Sequence, residues 1–158
     1  MSCDARAVVR ALMESGQTLA VAESLTGGMI AQTITQVPGC SAVFCGGVVS
    51  YQSRIKSDVL GVDPLTLQVN GPASRPVAKA MAEGVRRLLK ADLALAVTGV
   101  AGPDPDEFGA PVGLVYAALA GDGWCLCRQL NLTGGRALIR ELTCQAALDL
   151  LGEQLGLQ

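Results

Sequence analysis

Three times along this 158-residue chain an apolar run ends in a knot of small and hydroxyl-bearing residues. Residues 18–23 lead into Ser24-Leu25-Thr26-Gly27-Gly28. Residues 93–98 lead into Gly99-Val100-Ala101-Gly102-Pro103, and residues 124–132 into Thr133-Gly134-Gly135-Arg136. Runs of that length and composition read as strands, and a glycine-rich exit lets the backbone turn sharply into a helix. Between them, apolar residues recur at helical spacing: Ala5, Val8, Val9, Leu12 and Met13; Val77, Ala80, Met81, Gly84, Val85 and Leu88; Ile139, Leu142, Ala146 and Leu150. Gly16 suits the end of the first helix and Ser74 the cap of the second, while Ser53 suits the cap of a short helix reaching Leu60. Residues 61–70 read as turn-rich at their start. One further strand, 112–120, joins the 124–132 strand at Gly121-Asp122-Gly123 as a hairpin. The pattern predicts a single α/β domain over residues 1–158, a three-layer α/β/α fold around a mixed, mostly parallel sheet.

Composition narrows the functions open to such a fold. Half the residues are hydrophobic but only 3% are aromatic, so the core must be built from Ala, Val, Leu and Ile. A net charge of −2 supplies no field toward nucleic acid, and the lack of aromatics removes a stacking platform for single strands. No run of 18 apolar residues is present to span a bilayer. The opening Met-Ser-Cys-Asp-Ala-Arg has no apolar core of a signal peptide, and a cytoplasmic location is expected. The six cysteines form no CxxC pair and histidine is absent, which excludes His-containing zinc sites. They read as small buried hydrophobes in a reducing compartment, and neither cofactor nor metal is expected. So much apolar surface in a small chain points to a homo-oligomer, with a dimer the simplest form.

Ser24 sits at a strand-to-helix junction. A serine there is a helix cap or an exposed nucleophile whose following amides can hold an oxyanion. Without histidine the serine–histidine triad is ruled out, so a base must come from Lys, Tyr, Asp or Glu. Tyr51, ending one strand-like run, and Lys56, one turn into the next helix, stand out. A lysine base must shed its proton near neutrality, and moving its pKa from about 10.4 to about 7 costs nearly 5 kcal/mol. Burial or a neighbouring cation has to supply that. Arg136 and Arg140, four residues apart at the start of the last helix, form either a phosphate clamp or a solvated helix face. Asp104, Asp106 and Glu107 form either a Mg²⁺ site, as a phosphohydrolase would need, or a solvated loop.

In order, Ala22-Glu23-Ser24-Leu25-Thr26-Gly27-Gly28, then Gly47-Val48-Val49-Ser50-Tyr51, Lys56 and Leu60-Gly61-Val62, then Thr98-Gly99-Val100-Ala101-Gly102-Pro103, then Pro111-Val112-Gly113 resemble the CinA C-terminal domain family. The resemblance covers nearly the whole chain. It implies an amidase that converts nicotinamide mononucleotide to nicotinic acid mononucleotide and ammonia in pyridine-nucleotide salvage. It implies Ser24 as nucleophile, Tyr51 and Lys56 as its activating partners, Thr98 and Gly99 in the pocket, and Arg136 or Arg140 facing the substrate phosphate. A small-molecule nucleotide is then the expected partner, and no metal takes part. Backbone amides of Thr26, Gly27 and Gly28 are expected to hold the oxyanion. The chain departs from the family pattern at Ala73-Ser74-Arg75, Ala110 and Gly134-Gly135-Arg136. A nucleotide-binding or regulatory relative with weak turnover is the alternative.

Overall fold

The computed structural model describes residues 2–157. Its helices are α1 (Ala5–Ser15), α2 (Met29–Thr35), α3 (Ser53–Asp58), α4 (Pro64–Asn70), α5 (Arg75–Leu89) and α6 (Arg136–Gln154); its strands are β1 (Leu19–Glu23), β2 (Phe44–Val49), β3 (Leu93–Gly99), β4 (Leu114–Gly121) and β5 (Trp124–Asn131). The strands form one sheet in the order β2-β1-β3-β4-β5. β1 pairs parallel with β2 and β3, while β4 pairs antiparallel with β3 and β5. Only β4 therefore runs against the others, and the sheet is mixed and mostly parallel, as the sequence pattern implied.

Strand alternation explains how a core with almost no aromatics closes. Leu19, Val21, Leu93, Leu95, Val97, Val115 and Leu119 point to one face, where they pack with residues of α1, α2 and α6. Ala20, Ala22, Ala94, Ala96, Ala118 and Ala120 point to the other, against Val77, Ala78, Met81 and Val85 of α5. Successive strand side chains face opposite ways, so one sheet surface is large and branched and the other nearly all alanine. α5 can approach the alanine face closely. Gly84 shows how closely its outer side is held, because a Cβ there would collide with the carbonyl oxygen of Leu60.

Local signals fix most helix ends. Asp4 caps α1 by accepting from the Arg6 amide, and Gly16 ends it in the left-handed region at φ 68°. α4 occupies a stretch that the sequence marked only as turn-rich. Its start carries two signals, an Asp63 side chain accepting from the Leu65 amide and Pro64 in the first turn. Ser74 does precede α5, but its hydroxyl donates to the Gly71 carbonyl instead of capping the helix. Gln52, not Ser53, takes the cap position of α3. Three residues placed on apolar helix stripes, Met13, Leu88 and Leu142, are 43%, 48% and 38% exposed. In α6 the buried face keeps Ile139 and Leu150 but runs through Thr143, Ala147 and Leu151 in place of Leu142 and Ala146.

All six cysteines are free thiols, and Cys144 is buried as expected. Cys45 is exposed, because β2 is an edge strand and alternate residues on it face outward. Trp124 opens β5 with its ring lying over Gly121 across the hairpin. Among the described residues, no helix is long and apolar enough to cross a membrane.

Candidate active site

The chain leaves β1 through α2 to reach β2 at the sheet edge, then returns past β1 through α3, α4 and α5 to β3. α2 lies on one face of the sheet and α5 on the other. Opposite crossovers on either side of β1 open a crevice at the carboxyl ends of the strands, where α/β sheets hold their ligands. A cavity of about 230 Å³ lies there, and its lining includes Ser24 after β1, Tyr51 after β2, Lys56 in α3, and Thr98 and Gly99 at the end of β3.

Ser24 is set on a turn that is held from both sides. Glu23, the last residue of β1, is 1% exposed. Its Oε1 accepts from the Thr26 hydroxyl at 2.6 Å, the Ile30 amide at 2.9 Å and the Gly28 amide at 3.2 Å, and its Oε2 accepts from the Ala31 amide at 3.0 Å. From the other side Arg140 of α6 donates through Nε to the Leu25 carbonyl at 2.9 Å and through Nη2 to the Thr26 carbonyl at 3.1 Å. Gly27 and Gly28 take φ values of +58° and +109°, a left-handed path that other residues rarely follow.

Lys56 reaches this turn from α3. Its Nζ donates to Ser24 Oγ at 3.0 Å and to the Ser50 carbonyl at 2.6 Å. Ser50 is tied back to β1, its amide and hydroxyl both donating to the Glu23 carbonyl, at 2.8 and 3.2 Å. Lys56 is 1% exposed, and among the described residues no carboxylate pairs with it. Burial without a counter-charge penalises the ammonium form and brings its pKa down from 10.5 to about 8. An amine in that range is partly neutral near physiological pH. Its lone pair can take the proton of the hydroxyl 3.0 Å away, while its own hydrogen stays bonded to Ser50.

The structure divides the other residues singled out from sequence. Tyr51 lines the cavity but is 56% exposed, and its hydroxyl oxygen accepts from Arg136 Nη2 at 2.8 Å; its contact is with Arg136, not with Ser24 or Lys56. Arg136 lines the cavity too and also donates to the Gly102 carbonyl. Thr98 is in the wall, its hydroxyl donating to the Pro72 carbonyl at 2.8 Å. Arg140 does not line the cavity, because its guanidinium is spent on the turn. Thr26, Gly27 and Gly28 lie outside the lining as well. The expected oxyanion donors are partly spent: the Gly27 amide donates to the Ser24 carbonyl at 3.1 Å and the Gly28 amide to Glu23. Arg75, one of the departures from the family pattern, lies away from the cavity, over the Tyr116 ring and donating to the Cys127 carbonyl.

Asp104 and Asp106 do reach the cavity, but Asp106 Oδ1 accepts from the Phe108 and Ala110 amides at 3.0 and 2.8 Å, which folds its own loop. Among the described residues, no group of three His, Cys, Asp or Glu side chains converges on a common point as metal ligands would. Two residues that sequence reasoning left without a role, Glu23 and Ser50, turn out to organise the site. The signal for Glu23 was available: a carboxylate closing an otherwise apolar buried strand must be matched by donors.

The chain is similar to known proteins over nearly its whole length. Residues 3–155 match the CinA C-terminal domain family. A CinA-like protein of Geobacter sulfurreducens is 48% identical over 149 residues, covering 94% of this chain and 36% of that protein. A CinA-like protein of Gloeobacter violaceus is 47% identical over 146 residues, 91% of this chain and 34% of its own length. The chain thus spans about a third of the length of these curated relatives. Among solved structures, the competence damage-inducible protein A of Klebsiella pneumoniae superposes with a TM-score of 0.94 at 33% identity, covering 96% of this chain and 94% of that one. The competence/damage inducible protein CihA of Agrobacterium tumefaciens superposes with a TM-score of 0.88 at 37% identity, covering 98% and 96%. Strand order, motif order and whole-chain similarity converge, and the chain belongs to the CinA C-terminal domain family.

Proposed function

We propose that this chain is a serine amidase that hydrolyses the carboxamide of nicotinamide mononucleotide, releasing ammonia and nicotinic acid mononucleotide. The observation that carries the reading is the buried, unpaired amine of Lys56 against Ser24 Oγ. In the proposed reaction, neutral Lys56 takes the Ser24 proton as Oγ attacks the amide carbon. The resulting ammonium gives its proton to the departing nitrogen, the C–N bond breaks and ammonia leaves. Water, deprotonated by the same amine, then cleaves the acyl-enzyme, and the proton returns to Ser24.

The choice of substrate rests on the family resemblance and is supported by the shape of the cavity. At about 230 Å³ it falls below the ~300 Å³ where pockets for whole drug-sized ligands begin. It suits the reacting ring of a larger ligand whose remainder lies outward. The exposed side chains Tyr51 and Arg136 sit at that outer side, and a guanidinium is well matched to a phosphate. With the glycine amides of the Ser24 turn partly spent, the oxyanion is proposed to draw on other donors of the cavity wall. The test is ammonia release from nicotinamide mononucleotide, nicotinamide riboside and free nicotinamide, with Ser24→Ala as control. Turnover of the mononucleotide that is lost in Ser24→Ala is expected; equal turnover by that variant sinks the proposal.

A further inference from the structure

A serine that follows a strand and precedes a helix normally finds work as a cap, its oxygen held by the amides of the first turn. Here that work is done by another residue. α2 has Gly28 at its cap position with no side-chain cap of its own, and the Gly28, Ile30 and Ala31 amides all donate to the Glu23 carboxylate. Ser24 Oγ is left with Lys56 as its partner. The Glu23 main chain meanwhile receives both donors of Ser50, whose carbonyl anchors the Lys56 amine.

We propose that Glu23 is a positioning residue of the site: by capping α2 from the end of β1 and gripping the Thr26 hydroxyl, it frees the Ser24 hydroxyl from the helix and holds it on the line to Lys56. The inference rests on the reading of Ser24 and Lys56 as nucleophile and base. A carboxylate is required rather than an amide. Its two oxygens meet four donors, so a glutamine of the same shape must turn its own NH₂ toward at least one of them. A turn repaired around that clash shifts Ser24 relative to Lys56. Small displacements of this kind at a reacting pair cost rate rather than affinity.

The test uses phenylmethanesulfonyl fluoride, which reports the nucleophilicity of Ser24 whatever the true substrate is. Labelling is read by mass at Ser24, per folded molecule, on wild type, Glu23→Gln, Thr26→Val and Thr26→Ser, beside kcat and KM for ammonia release. Glu23→Gln is expected to slow labelling and lower kcat at least ten-fold with KM within two-fold of wild type. Thr26→Val is expected to slow labelling several-fold and Thr26→Ser to restore it. Folded Glu23→Gln labelled within two-fold of wild type overturns the inference. If Glu23→Gln does not fold, the threonine pair decides, and a Thr26→Val protein labelled at the wild-type rate overturns it equally. Wild type that labels at Ser24 yet releases no ammonia removes the proposed substrate and leaves Glu23 to be judged by labelling. Wild type that does not label at Ser24 removes both.

Discussion

Lys56 Nζ and Ser24 Oγ lie 3.0 Å apart although 32 residues separate them in the chain. What joins them is the parallel pairing of β1 with β2, which sets Glu23 beside Val49 and delivers the next residues of each strand to one spot. Nothing in the site compensates the lysine charge by ion pairing, so its chemistry is governed by how far it is buried.

Activity should therefore follow the neutral fraction of that amine. The pKa of Lys56 is lowered to about 8, so kcat/KM for amide hydrolysis is expected to rise with pH, pass its midpoint near 8 and level off above. A pH–rate profile measures this directly. A flat profile between pH 6 and 9 excludes Lys56 as the base.

The same burial makes a stability prediction. Between about 8 and 10.5 the folded lysine has lost its proton while the unfolded lysine still holds one, so folding becomes more favourable as pH rises through that window. Lys56→Met has no such dependence. The stability of wild type relative to Lys56→Met should improve by about 3 kcal/mol between pH 7 and 10.5, at roughly 1.36 kcal/mol per pKa unit. Urea denaturation of both proteins at the two pH values is the measurement. Turnover by the variant should fall by ~10²–10⁴, the usual contribution of a general base.

Two arginines four residues apart in α6 are expected to behave differently. Arg136 borders the cavity, so Arg136→Ala should raise KM for the mononucleotide about 10- to 100-fold, as losing a charged hydrogen bond does, with little effect on the riboside. Arg140 holds the Leu25 and Thr26 carbonyls, so Arg140→Ala should lower kcat for both substrates alike and lower the melting temperature. Steady-state kinetics on the two substrates separates them, and a phosphate-selective defect in Arg140→Ala contradicts the assignment.

Gly84→Ala tests the packing of α5. The added methyl meets the Leu60 backbone oxygen, which cannot rotate away, so destabilisation by about 3 kcal/mol is expected in urea. A cost near zero would mean that α5 can slide on the alanine face.

Much of this was legible in the residues, and the exceptions have physical causes. Strands and turns announced themselves through apolar runs and glycine, and Lys56 emerged as a candidate base once histidine was absent. α4 was harder to see, because seven residues opened by Asp63 and Pro64 look like a turn until packing decides. Leu142 fits a helical stripe on paper but is exposed, since only the sheet surface determines which stripe is covered. The roles of Arg140 and Glu23 depend on side chains crossing between distant elements, and spacing along one helix or strand does not reveal those partners. Cys45 looked apolar by its neighbours and is exposed only because β2 ends the sheet.

The hairpin of β4 and β5 carries the sole tryptophan of the sequence, at Trp124 over Gly121, while the cavity lies at the carboxyl ends of β1 and β3. Gly121 pairs at the register end next to Ala94, near the start of β3, so indole and cavity stand toward opposite ends of that strand. Tryptophan fluorescence is thus a private channel to one corner of the fold. It will track loosening of the hairpin and stay dark to events at Ser24, so an optical assay of ligand binding needs a reporter placed by design, with Tyr51 at the cavity the natural site for an introduced indole.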